Sequence, residues 1–531
     1  MKDTTDIASS LLGASPSPLR SRAWVLLLTA AAILTPLLLS TANSSFAGSA
    51  TWLASPVSGD WNNAANWTPG GPPDGPADTA TFQSSNITSV STSAPTEVNG
   101  IVFDAGASPF TITARPFLKE LDITGVGITN NSGIPQNFVA NGDGNSVASI
   151  LFKNSATAGS LTAFTNTGGT FANAVGGVTG FVNTSTAGNG TFTTNGGLVS
   201  GAHGGAIAFG NSATAGNAIF TTNGAAVSGA DGGIISFSDI STAGNGTFIT
   251  NGGSFGGGGG MIQFSISSTG GTARMEIFGN GSLDMSFRQA PGMPIGSIEG
   301  SGAVFLGANN LTVGNNNLST AFSGVIQDGG LNGGIGGSVT KIGGGKLTLS
   351  GANIYTGGTT ISGSSNGTLF VTNRRGSGTG SGAVQVNVGK VGGTGKISGS
   401  VTVGTGSGTG AFLTPGVVAA TPSTLTIQKR LTLRADGTFH FGFKSSNITA
   451  DKIIARGVTL DSGALIFFDH VDVGTFPLGT VFTAIDNTAA TPITGTFANL
   501  ADGATFTIDN TTFQADYQGG DGNDLTLTVV P

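Results

Sequence analysis

The sequence predicts an all-β fold of the parallel β-helix (β-solenoid) kind, right-handed and closed by β-rich caps. Three observations carry this expectation. A 28-residue unit recurs at positions 183, 211 and 239, reading NTSTAGNGTF, NSATAGNAIF and DISTAGNGTF, with a looser copy at Asn154. Aligned units place phenylalanine in fixed columns within short alternating segments, which is strand periodicity. Composition agrees: of 531 residues, 91 are Gly and 33 are Phe, while only 9% are charged. Phenylalanine at this density does not belong in a solvated tail, and glycine in a helix costs roughly 0.5–1 kcal/mol per residue.

Residues 1–47 read as a signal peptide. Lys2, Arg20 and Arg22 precede an apolar run from Ala23 to Leu39, and Ser45-Phe46-Ala47 fits a small-x-small cleavage site before Gly48, with Ser40-Thr41-Ala42 as a second candidate. The competing reading is an uncleaved anchor. The run is at the short end of the roughly 17–25 residues a spanning helix needs, and Pro36 interrupts it. Export is therefore expected, to the extracellular space or outer surface.

Residues 48–145 read as an N-terminal cap with the first coils. Trp52, Trp61 and Trp67 cluster there. Bulky rings can close an open solenoid core; stacking on sugar rings is the functional alternative.

Residues 146–290 form the 28-residue-repeat solenoid. Three apolar columns are expected to face inward: Phe164, Phe192, Phe220 and Phe248; then Phe171, Val199, Val227 and Phe255; then Phe181, Phe209, Phe237 and Phe264. Three strands and three corners per coil follow, with like residues stacked about 4.8 Å apart in a monomeric rod. Asn195, Asn223 and Asn251 recur at one corner, an expected amide ladder.

Residues 291–446 continue with shorter alternating strands, such as AVFLG (303–307), LTVG (311–314), KLTLSG (346–351) and AVQVNVG (383–389). Residues 447–531 carry denser strands and more charge, and read as a C-terminal cap.

Within residues 291–446, VTKIGGGKLTLSGANIYTGGTTISGSSNGTLFV (339–371) resembles the autotransporter-associated β-strand repeat. The residues that carry it are Lys341, Gly343, Gly345, Leu347, Leu349, Ser350, Gly351, Asn353, Tyr355, Gly357, Gly358, Thr359 and Ile361. The WNNAANW segment and the tail from Gly495 are similar to the starts and ends of such secreted repeat proteins. The resemblance implies a passenger-like β-helix at, or released from, a Gram-negative-type surface. It departs in one respect: an autotransporter carries a C-terminal membrane barrel, and solenoid-like sequence here runs nearly to Pro531, so no transmembrane barrel of its own is expected.

Chemistry is sparse. With no Cys, thiolate metal sites, disulfides and Cys nucleophiles are excluded. A net charge of −7 without a Lys/Arg cluster argues against nucleic acid. His203, His440 and His470 lie at no metal-ligand spacing, and the repeat has Asp231 and Gly259 where it has His203, as a solvated turn would allow. Gly363-Ser364-Ser365-Asn366-Gly367 matches the G-x-S-x-G elbow, but this Ser/Gly-rich composition makes such a match by chance and no helix follows. Gly-Lys at 345, 389 and 395 is never followed by Ser or Thr, so there is no P-loop. A carboxylate cluster of the polysaccharide-lyase or hydrolase kind has one possible seat, at Asp451, Asp461, Asp469 and Asp472. Gly519-Gly520-Asp521-Gly522-Asn523-Asp524 partly matches a calcium-binding nonapeptide, though in one copy and with Leu525 a place early; a tight turn is the alternative. Ice-binding Thr rows are broken, since Thr191/Thr193 give way to Ile219/Thr221 and Thr247/Ile249.

No catalytic, cofactor or metal residues are assigned. The expectation is a secreted or cell-surface, non-enzymatic structural or adhesive solenoid that presents a repetitive neutral surface to extracellular glycans or cell-envelope components. A polysaccharide-processing β-helix enzyme is the alternative.

Overall fold

A computed structural model of the chain describes residues 48–116, 120–142, 146–289, 292–416, 421–470, 472 and 474–531. The described residues all fall within the second of the chain's two units, Phe46–Pro531. The expected signal peptide lies outside the described residues. Among those residues no helix is long and apolar enough to cross a membrane.

The second unit is a parallel β-solenoid of stacked coils. Its first sheet has thirteen strands and runs from Trp67–Thr68 and Ala50–Trp52 to Val325–Gln327. A second sheet rises beside it, coil upon coil, from Ser89–Ser91 through Asn189–Thr194, Ile219–Thr222 and Thr247–Thr250 to Leu465–His470. A third, eight-stranded sheet spans Met293–Ile295 to Val458–Leu460. A fourth begins at Lys396–Ile397.

The 28-residue period sets the register. Phe192 pairs with Phe220 and Phe220 with Phe248, while Phe181, Phe209, Phe237 and Phe264 pair in series on the facing sheet. Within each column the rings stack: Phe209 and Phe237 are 4.7 Å apart and 5° from parallel. Between columns they meet edge to face, as Phe181 and Phe192 do at 5.7 Å and 75°. Each buried ring contributes roughly 2–3 kcal/mol of desolvation, and each favourable ring pair about 0.5–1.5 kcal/mol more.

The expected second apolar column is not inside. Phe171, Val199, Val227 and Phe255 are exposed, the last at 87%, and none lies in a strand. Glycine pairs explain the difference. Gly205 N donates to Asn195 O at 2.8 Å and Gly233 N to Asn223 O at 2.8 Å, so each coil pinches off a loop whose apex meets solvent. These loops stack backbone on backbone. A Cβ on Gly204 would sit 2.2 Å from Gly232 O, so only glycine allows the approach. The third face of these coils is instead one residue wide, made by parallel bridges through Thr157, Thr186, Thr214, Thr242 and Thr269. Ala187, Ala215 and Ala243 pack inward beside it.

Polar ladders bind successive coils. The Asn223 amide donates to Asn195 Oδ1 and that of Asn251 to Asn223 Oδ1, both at 3.0 Å. At another corner Asn183, Asn211 and Asp239 adopt positive φ, each accepting the backbone N–H of the equivalent residue one coil earlier. Asparagine and aspartate tolerate this conformation better than other non-glycine residues.

Both ends are closed. Trp52, Trp61 and Trp67 are buried, pack on one another and on Phe82, and donate their indole N–H groups to Ile87 O, Pro73 O and Trp61 O. The indoles are core, not platforms for sugar. At the other end parallel stacking gives way to antiparallel strands: Val481–Asn487 pairs with Asp524–Val530, which pairs with Thr511–Gly519.

Candidate functional surface

The second sheet turns one side chain in two outward, so each coil adds residues to the same outer columns. Its chemistry changes along the stack. In the 28-residue coils the columns are neutral, with Thr191, Ile219 and Thr247 beside Thr193, Thr221 and Ile249. The next coils are charged but paired: Arg274 Nε meets Glu276 at 3.2 Å and Glu299 at 2.5 Å.

Beyond them lies a stripe of cations and rings. One outer column runs Lys346, Thr368, Lys390, Phe412, Thr438 and Leu465; its neighbour runs Thr348, Phe370, Gly392 and Thr414 in one block and His440 and Phe467 in the next. Lys346 Nζ lies 5.9 Å from the Phe370 ring centre and Lys390 Nζ 5.8 Å from that of Phe412, both within cation–π range. His440 sits between Phe412 and Phe467, at ring-centre distances of 5.2 and 5.1 Å. Its Nδ1 is 3.6 Å from Asp469 Oδ2. Burial pushes the imidazole pKa down, against the pull of Asp469. Phe467 is 52% exposed and Leu465 43%. The first four strands repeat at 22 residues (346, 368, 390, 412), a period the sequence carries but the 28-residue repeat upstream obscures.

The motif residues of 339–371 are architectural. Asn353 receives the backbone N–H of Ile326 at 2.8 Å and donates to Gly378 O at 2.7 Å, tying one coil to those on either side. Tyr355 is fully buried, its hydroxyl 2.6 Å from Thr359 Oγ1. Lys341 is also buried, in an inward column with Val313 and Ile361, and its ammonium reaches the carbonyls of Ile342 and Gly343. Burial pushes it down to about 8.

The four late aspartates serve separate roles. Asp461 pairs with Arg434 at 3.2 Å. Asp472 accepts the N–H groups of Ser445 and Ser446, and hydrogen bonds from Ser446 and Ser445 hold its pKa low. Asp451 is buried and accepts from Ser423 N and Gly442 N; burial pushes it up to about 6, with Asp469 adding to the rise. Asp469 is an electrostatic neighbour of Asp451.

His203 does stack on Asp231 of the next coil, Nδ1 to Oδ2 2.7 Å. His470 ends a strand; its side chain lies outside the described residues. Ser364 and Ser365 lie in the link between two strands, Thr359–Ile361 and Thr368–Val371. In the Gly519–Asp524 turn, Asp524 accepts Asn487 N at 2.8 Å and Asn523 donates to Ala489 O at 2.6 Å, so both side chains face the adjoining strand end. Among the described residues no three His, Cys, Asp or Glu groups adopt a metal-holding arrangement.

Residues 339–369 match the passenger-associated-transport-repeat family. No curated protein matches the chain. Among solved structures it is similar to the crystal structure of the Haemophilus influenzae Hap adhesin, at 10% identity and a TM-score of 0.34, over 85% of this chain and 58% of that one. The chain thus spans little more than half the length of that structure.

Proposed function

We propose that this autotransporter-associated repeat protein works outside the cell, on the outer surface or released from it, as a structural and adhesive β-solenoid. One observation carries the reading: the residues that define its transport-type repeat, Asn353, Tyr355 and Lys341 among them, are turned into the coil stack, so the chemistry left for contact is the repeated outer face. Function is then geometric. Stacked coils present outward side chains in columns at about 4.8 Å intervals, and many weak contacts with glycans or envelope components add up to firm attachment.

The test is cell fractionation with protease treatment of intact cells and N-terminal sequencing. Protein that is degraded on intact cells or recovered from the medium, with a new N-terminus near Gly48, is expected. Protein retained in the cytoplasm with Met1 in place overturns the reading. The polysaccharide-processing alternative rests on the proximity of Asp451 and Asp469. It predicts glycan cleavage by the purified protein that is lost in Asp451→Asn; glycan capture without turnover supports the adhesive role.

A further inference from the structure

On an acidic chain, the stripe on the second sheet is a local excess of positive charge. Several cations of the solenoid are paired with carboxylates: Lys153 with Asp122, Arg274 with Glu299, Arg434 with Asp461 and Lys452 with Asp486. Among the described residues neither Lys346 nor Lys390 has a carboxylate partner. Both ammoniums are instead propped against ring faces, which fixes them over the sheet without neutralising them. Downstream in the same two columns come the half-buried Phe412 and then Leu465 and Phe467, both exposed to solvent.

The spacing is periodic. Lys346 and Lys390 lie two strands apart in one column, roughly 10 Å. The stripe crosses six strands, from Lys346–Leu349 to Leu465–His470, about 24 Å along the stack. A linear polysaccharide laid across the strands advances about one pyranose per strand, so a carboxylate on every second sugar meets each lysine in turn. The C–H faces of its sugars meet the rings of Phe412 and Phe467.

We infer that this stripe binds an extended acidic polysaccharide bearing a carboxylate on alternate sugars, the chain running across the strands from Lys346 to Phe467. The inference deepens the adhesive reading above, and rests on it for its setting. The ammoniums supply charge and register, and the rings supply affinity for sugar over other anions.

The test uses the purified full chain and hyaluronan oligosaccharides as probe, read by calorimetry or by fluorescence polarisation of the labelled sugar. Binding is expected that weakens with salt and is lost when the same oligosaccharides are carboxyl-reduced. Lys346→Gln with Lys390→Gln should weaken it roughly five- to tenfold, and Lys346→Arg with Lys390→Arg should restore it. Phe467→Ala should weaken hyaluronan binding as well, with unchanged circular dichroism, and leave any binding of polyglutamate as it was. Equal binding of the carboxyl-reduced sugar overturns the inference. So does polyglutamate or an anionic phosphatidylglycerol vesicle bound as tightly as hyaluronan, or insensitivity to the double Gln variant. Purified protein answers this whatever its cellular location, so failure here leaves the fractionation result standing, and the reverse.

Discussion

Phe192 lies over Phe220 with ring centres 4.9 Å apart and planes 16° from parallel. Each ring is also touched edge-on from the facing column, Phe220 by Phe209 at 5.8 Å. Removing one ring therefore strips contacts from the coil above, the coil below and the opposite sheet together. Phe220→Ala is expected to cost about 3–5 kcal/mol, as a shift of the urea midpoint.

The pinched loops give the opposite expectation. Val199 and Val227 face solvent at their apices, so Val199→Ser should change stability by less than about 0.5 kcal/mol. Gly204→Ala should be markedly destabilising, since its new Cβ meets the backbone of Gly232. Denaturation of the pair checks the loop assignment: if Val199 were core, the order would reverse.

Lys341 is a charge in an apolar column. Its pKa falls from 10.5 to about 8 on folding. Between those values the unfolded chain holds more protons than the folded one, so stability should rise as pH climbs from about 8 to 10.5. Lys341→Met should be stabilised at pH 7 by about 1–3 kcal/mol and should lack that rise. Thermal melts of both proteins from pH 7 to 10.5 check it.

Asp451 has the reverse slope. Its carboxyl is raised from 3.8 to about 6 in the folded state, so the folded chain holds more protons across that window and stability should fall as pH rises through it. Asp451→Asn should flatten this fall. It also weakens one of the two hydrogen bonds that Asp451 accepts, from Ser423 N and Gly442 N, so the variant is less stable at pH 4. Denaturant titrations at pH 4 and pH 7 check both effects.

The two phenylalanine columns were legible because a strict repeat prints core contacts directly onto sequence: residues 28 apart are the residues that stack. The Asn195–Asn223–Asn251 ladder was legible for the same reason. Phe171, Val199, Val227 and Phe255 obeyed the same spacing and misled, because a periodic apolar column fits a solvent-facing loop as well as a strand. The distinguishing signal lay beside them, in the glycine pairs that let a loop close on its own base. The threonine bridges leave no sequence signal, since a strand one residue wide has no alternation. The lysine and phenylalanine stripe depends on a 22-residue step that begins only where the longer repeat has ended. Which residues it aligns also depends on strand pairings between coils of unequal length.

Register by whole coils has a consequence for how such a chain changes over generations. Excision of residues 211–238 would seat Phe248 where Phe220 had been, Asn251 upon Asn195 and Gly259 against Gly204, with every junction of a type already present. Gain or loss of a complete winding is therefore nearly silent to the interior, whereas a shift of a single position scrambles all of its columns. Length in this architecture is cheap to vary, and the outer decoration can drift independently of the stem that carries it.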